Sequence, residues 1–219
     1  MKILNTTCIG ILLIASSFTT NTYASDDSNW FVRPILSLSN LSETSGQITT
    51  ADGTGAADVS TDGGFSAGLG LGYQYNANVA VELFWEYRTN DSDTTLHNAS
   101  VIGGNYASNV FYLNGFYYFD NAADSNWQTY VGAGLGWVQE IDIDLETAAG
   151  EESYSGDGQT GYQLFVGTQY ELNDDWQLQL ELRYGNISSI DMNNELSDLP
   201  FNGLDYSTTS LQLGLVYQF

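Results

Sequence analysis

Six charged side chains stand at a spacing that gives them a common direction. Glu82, Glu86 and Arg88 are separated by even intervals, Glu181 and Arg183 are two apart, and Arg33 follows Phe31 by two. Residues two apart share one face of an extended strand. Three guanidinium and three carboxylate groups aimed into one enclosed space must form pairs, because an unpaired charge taken out of water costs several kcal/mol. Such a network either plugs the space or, if pairs exchange partners, gates a narrow path through it. A second acidic series, Glu140, Asp142, Asp144 and Glu146, alternates with Ile141, Ile143 and Leu145. It is a column of four carboxylates, the hard oxygen donors that Ca²⁺ takes. The twelve-residue calcium-loop spacing is absent, and a solvated acidic surface accounts for the same residues. The single histidine, His97, has Ser100, Asp91 and Asp93 near it in sequence but no ordered strand to position it against them. That argues against acid–base or nucleophilic catalysis, and no cofactor is implied.

The rest of the charge is one-sided. The chain carries 27 acids against four Lys and Arg, a formal net charge of −23. Such a surface excludes nucleic acid as a partner. One of the four cations, Lys2, opens a leader in which an apolar run around Ile9 to Ile14 precedes the small residues of Thr22-Tyr23-Ala24, the pattern of a signal peptide over residues 1–24. The run falls short of the roughly 20 apolar residues a membrane helix needs. Cys8 lies within the leader, so residues 25–219, a length that suits one domain, have no thiol for disulfides or metal.

The elements that carry the charges alternate with period two. Eight segments qualify: Trp30 to Leu38, Phe65 to Tyr75, Val79 to Arg88, Ser108 to Phe119, Trp127 to Trp137, Gly161 to Tyr170, Trp176 to Tyr184 and Ser210 to Phe219. In each, one face is apolar and the other is built from Gly, Ser, Gln and Asn with a few charges, including all three arginines. The connections after the second, fourth and sixth segments are short, and those after the first, third, fifth and seventh are long and acidic. This is the asymmetry of an up-and-down barrel with short turns on one side of a membrane and long loops on the other. Three-glycine columns in the second and fifth segments leave room for large inward groups such as Tyr112, Phe116 and the arginines.

A soluble barrel of the lipocalin kind would turn the apolar face inward and need a charged exterior. Here the non-apolar face is poor in charge, and Trp30, Trp85, Tyr87, Trp127, Trp137, Trp176 and Tyr184 lie at the ends of apolar faces, where aromatic girdles meet a membrane boundary. The expected fold is therefore all-β, an eight-stranded antiparallel up-and-down transmembrane β-barrel over residues 25–219. Its lumen is just filled by side chains.

The segments Tyr130 to Gly136, Leu180 to Tyr184 and Gly214 to Phe219 resemble the small outer-membrane β-barrel family, the porin-family proteins with OmpA-like and OmpX-like barrel domains. The resemblance implies a bacterial outer-membrane location with both termini periplasmic, long loops at the cell surface, and a monomeric, non-enzymatic barrel. It also implies contact with outer-membrane lipid and lipopolysaccharide, the latter through divalent cations at the acidic loops. Gln212, Gly214, Tyr217 and Phe219 resemble the family's C-terminal assembly signal, which implies recognition by the barrel assembly machinery. The implied role is structural and surface-interactive. A gated channel for ions or small solutes is the alternative, and a lipid A-modifying enzyme is a remote one.

Overall fold

The computed structural model describes residues 29–50, 53–96, 100–120, 125–147, 150–197 and 199–219. The leader and His97 lie outside them. The described residues form one antiparallel sheet of eleven strands: β1 (Trp30–Leu41), β2 (Thr44–Thr50), β3 (Gly53–Thr61), β4 (Gly64–Asn76), β5 (Val79–Leu96), β6 (Val101–Tyr118), β7 (Trp127–Thr147), β8 (Gly150–Gly156), β9 (Thr160–Glu171), β10 (Trp176–Asn194) and β11 (Pro200–Gln218). The pairings close on themselves. β1 pairs with β4, and the ladder continues through β5, β6, β7, β9, β10 and β11 back to β1. A second circuit is stacked on the first, in which the β2–β3 hairpin and β8 take the places of β1, β4 and β9.

Eleven strands, where eight were expected, correct the reading of the long connections. Most of those segments are strand, because β5, β6, β7, β10 and β11 run on for 18 to 21 residues. At about 3.3 Å per residue, β7 is about 70 Å long, well beyond the 9–11 tilted residues that cross an apolar layer. The alternation through Glu140 to Glu146 already carries the fifth segment past its membrane stretch, as β7 shows; the other extensions are unmarked in the sequence because their outward residues, such as Asp91 and Asp93, are polar and the apolar face of a lipid-facing strand is missing.

Each storey has its own chemistry. In the lower one, Leu36, Leu69, Leu83, Leu113, Leu180 and Leu213 are among the exposed residues of an apolar exterior. Aromatic pairs edge it at the Trp30 end: Trp30 with Tyr73, Trp127 with Tyr170, and Trp176 with Tyr217. Trp85, Tyr87, Trp137 and Tyr184, also exposed, stand at its other edge. In the upper storey most of the acids face outward and apolar side chains dominate the interior, among them Ile48, Val59, Ile143, Ile190, Met192 and Leu204.

Bulges manage the change. Asn109 pairs with Glu140 and Val110 with Val138, which leaves Gln139 as an extra residue in β7 and reverses the facing of every later side chain. β10 and β11 shift register near Ile190, where Ser189 and Gly203 adopt positive φ of 58° and 77°. Two acids satisfy the freed amides: the Ser189 N–H donates to Asp205 Oδ1 at 2.8 Å, and that of Gly203 to Asp191 Oδ1 at 3.1 Å.

At the lower end the turns are tied by asparagines. Asn76 Oδ1 accepts from the amides of Asn78 and Val79, and Asn173 Oδ1 from those of Asp175 and Trp176. The circuit closes there through the Phe219 amide, which donates to the Trp30 carbonyl at 2.9 Å, while the Phe219 ring packs edge-on against Tyr217. Deleting Phe219 removes both contacts from the closing seam. The outer-membrane fraction of the protein in cells is expected to fall severalfold, as read by fractionation and by the heat-modifiable gel shift of a folded barrel.

Candidate functional site

The lumen of the lower storey brings the predicted charges together. Each comes from an inward position of β1, β5 or β10 and is at most 5% exposed. The Arg33 guanidinium clasps Glu82 with two bonds, Nε to Oε1 at 2.7 Å and Nη2 to Oε2 at 2.6 Å. Its Nη1 donates to Gln179 Oε1 at 2.8 Å and lies 3.8 Å from Glu181. Arg183 holds Glu181 through Nε at 2.8 Å and donates from Nη1 to Gln163 at 3.1 Å. Gln163 donates to Asn114 at 2.6 Å, and Asn114 to Glu82 at 2.9 Å. Arg33, Glu82, Asn114, Gln163, Arg183 and Glu181 thus make a ring of polar contacts across the lumen. The third pair is separate: Arg88 donates to Glu86 at 2.9 Å, and the same carboxylate oxygen accepts from Ser66 at 2.6 Å.

Asn114, Gln163 and Gln179 were absent from the predicted charge set. Their inward position was visible in the alternation, but uncharged amides gave no reason to single them out; the register supplies it. Buried guanidinium donors need acceptors; Gln179 and Gln163 each accept from Nη1 of a ring arginine, and Asn114 links Gln163 to Glu82. Phe84 is the other part the charges did not announce. Its ring lies between both ring arginines, 5.1 Å from the Arg33 guanidinium carbon and 4.9 Å from that of Arg183. Two glycines make the close approach possible, since a Cβ at Gly70 would collide with the Glu82 carboxylate and one at Gly134 with the Asn114 amide. Gly136 makes room for Tyr112 as expected, but the remaining columns yield space to Phe31, Phe84 and Phe165, not to Phe116 or the arginines.

Beneath the ring, Phe31, Phe116, Tyr118, Tyr130 and Phe165 form an aromatic floor, joined to the charges by the Tyr130 hydroxyl, which donates to Glu181 at 3.0 Å. Above it, Arg88, Tyr106, Tyr112 and Tyr206 surround a void of about 10 Å³, room for about one water molecule. At the far end of the upper storey a chamber of about 480 Å³ is lined by Ile48, Leu96, Ile102, Leu145, Tyr154 and Leu196, with Glu152 at its wall.

The acidic column does not converge. The bulge at Gln139 places Asp142, Asp144 and Glu146 along the outside of β7, and among the described residues no group of three or more acids could hold a metal ion. Asp142 is pushed up to about 6 by partial burial and by repulsion from Glu140, Asp144 and Glu195. Asp91 and Asp93 point outward from β5. Gln212 and Gly214 are buried in the lumen wall, while Tyr217 packs on Trp176 outside.

A closed antiparallel sheet with an apolar exterior, aromatic edges and a filled, ion-paired interior defines an outer-membrane β-barrel. The chain belongs to the outer membrane protein beta-barrel domain family, whose model matches residues 10–219. It is 26% identical over 191 residues to outer membrane protein W of Vibrio cholerae serotype O1, covering 84% of this chain and 85% of that protein. Its fold is similar to the outer membrane protein OprG from Pseudomonas aeruginosa, with a TM-score of 0.64 and 17% identity over 89% of this chain and 98% of that one. It is also similar to Neisserial surface protein A, with a TM-score of 0.55 and 15% identity over 89% of this chain and all (100%) of the other.

Two outcomes follow. Arg183→Ala removes the short ion pair to Glu181, leaving that buried carboxylate only the Tyr130 hydroxyl and Arg33 at 3.8 Å, and should destabilise the barrel by about 3 kcal/mol, measured by urea unfolding in detergent. Asp142 has a raised folded pKa, so the folded state binds more protons than the unfolded one between the ordinary carboxylate value and about pH 6, and stability falls as pH rises through that window. Asp142→Asn is therefore expected to melt with the parent near pH 4 and above it at pH 7.

Proposed function

We propose that this protein is a non-enzymatic integral outer-membrane receptor for small apolar molecules, built on an eight-stranded transmembrane barrel. In this reading the lower circuit crosses the membrane, with its aromatic edges at the two boundaries and both chain ends on the periplasmic side. The upper circuit stands outside the cell. One observation carries the reading: the lumen is filled at membrane level by the polar ring and the aromatic floor, whereas a largely apolar chamber of about 480 Å³ lies at the outer end. That volume is within the usual range for small-ligand pockets, roughly 300–1,000 Å³. The acidic exterior of the upper storey would face lipopolysaccharide, with divalent cations between the two, and the strand ending in Tyr217 and Phe219 would be presented to the barrel assembly machinery. The barrel acts as a monomer.

A gated channel is the second reading. It is favoured by Arg33, which clasps Glu82 but stands 3.8 Å from Glu181 and so has an alternative partner at hand. Planar-bilayer recording separates the two. The receptor reading expects no discrete conductance steps from the refolded protein, together with saturable binding of phenylbutanol that Ile102→Trp weakens at least about tenfold by filling the chamber. Discrete steps altered by Arg33→Ala would favour the channel.

A further inference from the structure

The chamber's lining is largely apolar, with Thr50, Thr147, Asn194, Ser197 and Glu152 as its polar members. Of the described residues around it, Glu152 is the only charged one. It lies on β8, opposite Leu145 of β7. The Tyr154 hydroxyl sits beside this carboxylate and the Asn194 side chain. The Tyr154 ring meets Phe201 edge to face, with centroids 5.8 Å apart and planes at 82°. A carboxylate beside the Tyr154 ring in a largely apolar wall is a recognition set for an organic cation, which gains an ion pair and an aromatic contact while its apolar body fills the space.

The surroundings act in the same direction. All three arginines of residues 25–219 are buried in the lumen below. Among the described residues, therefore, no exposed Lys or Arg offsets the acids of the upper storey, of which Glu43, Asp58, Asp93, Glu146, Glu151 and Asp157 are exposed. Acidic walls around a cleft of low dielectric raise the local concentration of cations and repel anions. A purely apolar receptor would need neither the carboxylate in the chamber nor this sign of charge around it.

We propose that the chamber selects small organic cations with an apolar body, such as aryl or alkyl ammonium ions, and that Glu152 is the residue that confers the preference. The proposal rests on the chamber's being a ligand site at all, and the test separates the two ideas. Three probes share one apolar body: (phenylbutyl)trimethylammonium, phenylbutanol and phenylbutanoate. Binding is measured by calorimetry to the whole protein in phosphatidylcholine nanodiscs, with the signal from empty nanodiscs subtracted.

The expected order is cation, then alcohol, then carboxylate, with the cation about tenfold tighter than the alcohol. Molar salt should shrink that advantage, because it screens a partly exposed pair. E152Q should abolish the advantage while leaving alcohol binding within about twofold. If cation and alcohol bind alike to the wild type, or if E152Q folds and keeps the cation preference, the selectivity proposal is overturned and the receptor reading survives. If none of the three probes binds, both fall. The wild-type comparison and its salt dependence decide the matter even if E152Q fails to fold.

Discussion

Everything in this molecule depends on leaving no backbone hydrogen bond unmade in a wall that faces lipid. A hydrocarbon layer offers no water to an unpaired amide or carbonyl, so a sheet that enters it must close into a ring. Closure here is the seam between β1 and β11, which runs from Phe31 paired with Gln218 to Leu41 paired with Thr208. That seam dictates the short asparagine-tied turns at the lower end and the period-two division of each strand into an apolar exterior and a polar interior. It also creates a narrow lumen that side chains must fill.

Filling the lumen sets the second problem. Inward positions of the lower storey cannot all be apolar, and the three arginines and three glutamates need partners once they are buried. Asn114, Gln163 and Gln179 add bonds to Glu82, Arg183 and Arg33, so four of the charges form a ring while Arg88 and Glu86 remain a separate pair. Aromatic rings occupy the space on either side of the guanidinium planes, with Phe84 between both ring arginines and Phe116 and Phe165 below. Charge network and aromatic floor therefore form one barrier, with Tyr130 touching both.

The upper storey inverts this scheme because its outer solvent is water. Its interior is apolar, its exterior acidic, and the chamber forms where its strand ends no longer fill the circuit. Among its acids, Asp191 and Asp205 hold bulge amides, and the β7 column, which looks like a ligand set in the sequence, is spread along an outer face. Carboxylates alternating on one strand are several ångströms apart along one line, a poor geometry for surrounding a cation. Glu152 does not stand out in the sequence, because nothing about an acid next to Glu151 in a loop-like segment announces a largely apolar chamber.

The sequence by itself determined the lower storey. Its strands, their facings, the burial of all six lumen charges and the aromatic edges follow from alternation, because lipid outside and polar packing inside give the two faces of each strand opposite composition. Only the tertiary structure decided the upper storey. From Trp127 to Leu145, and again from Leu178 to Met192, most apolar residues keep the same parity, Tyr130, Val138 and Ile187 excepted, so the sequence reads as one uninterrupted face. A single extra residue, Gln139 in one strand and the Ser188–Ser189 pair's bulge in the other, turns that face from lipid to lumen at the height where the surroundings change from hydrocarbon to water. Alternation records which residues share a face between bulges; which way the face points is set by cross-strand register, and that exists only once the neighbouring strands are in place.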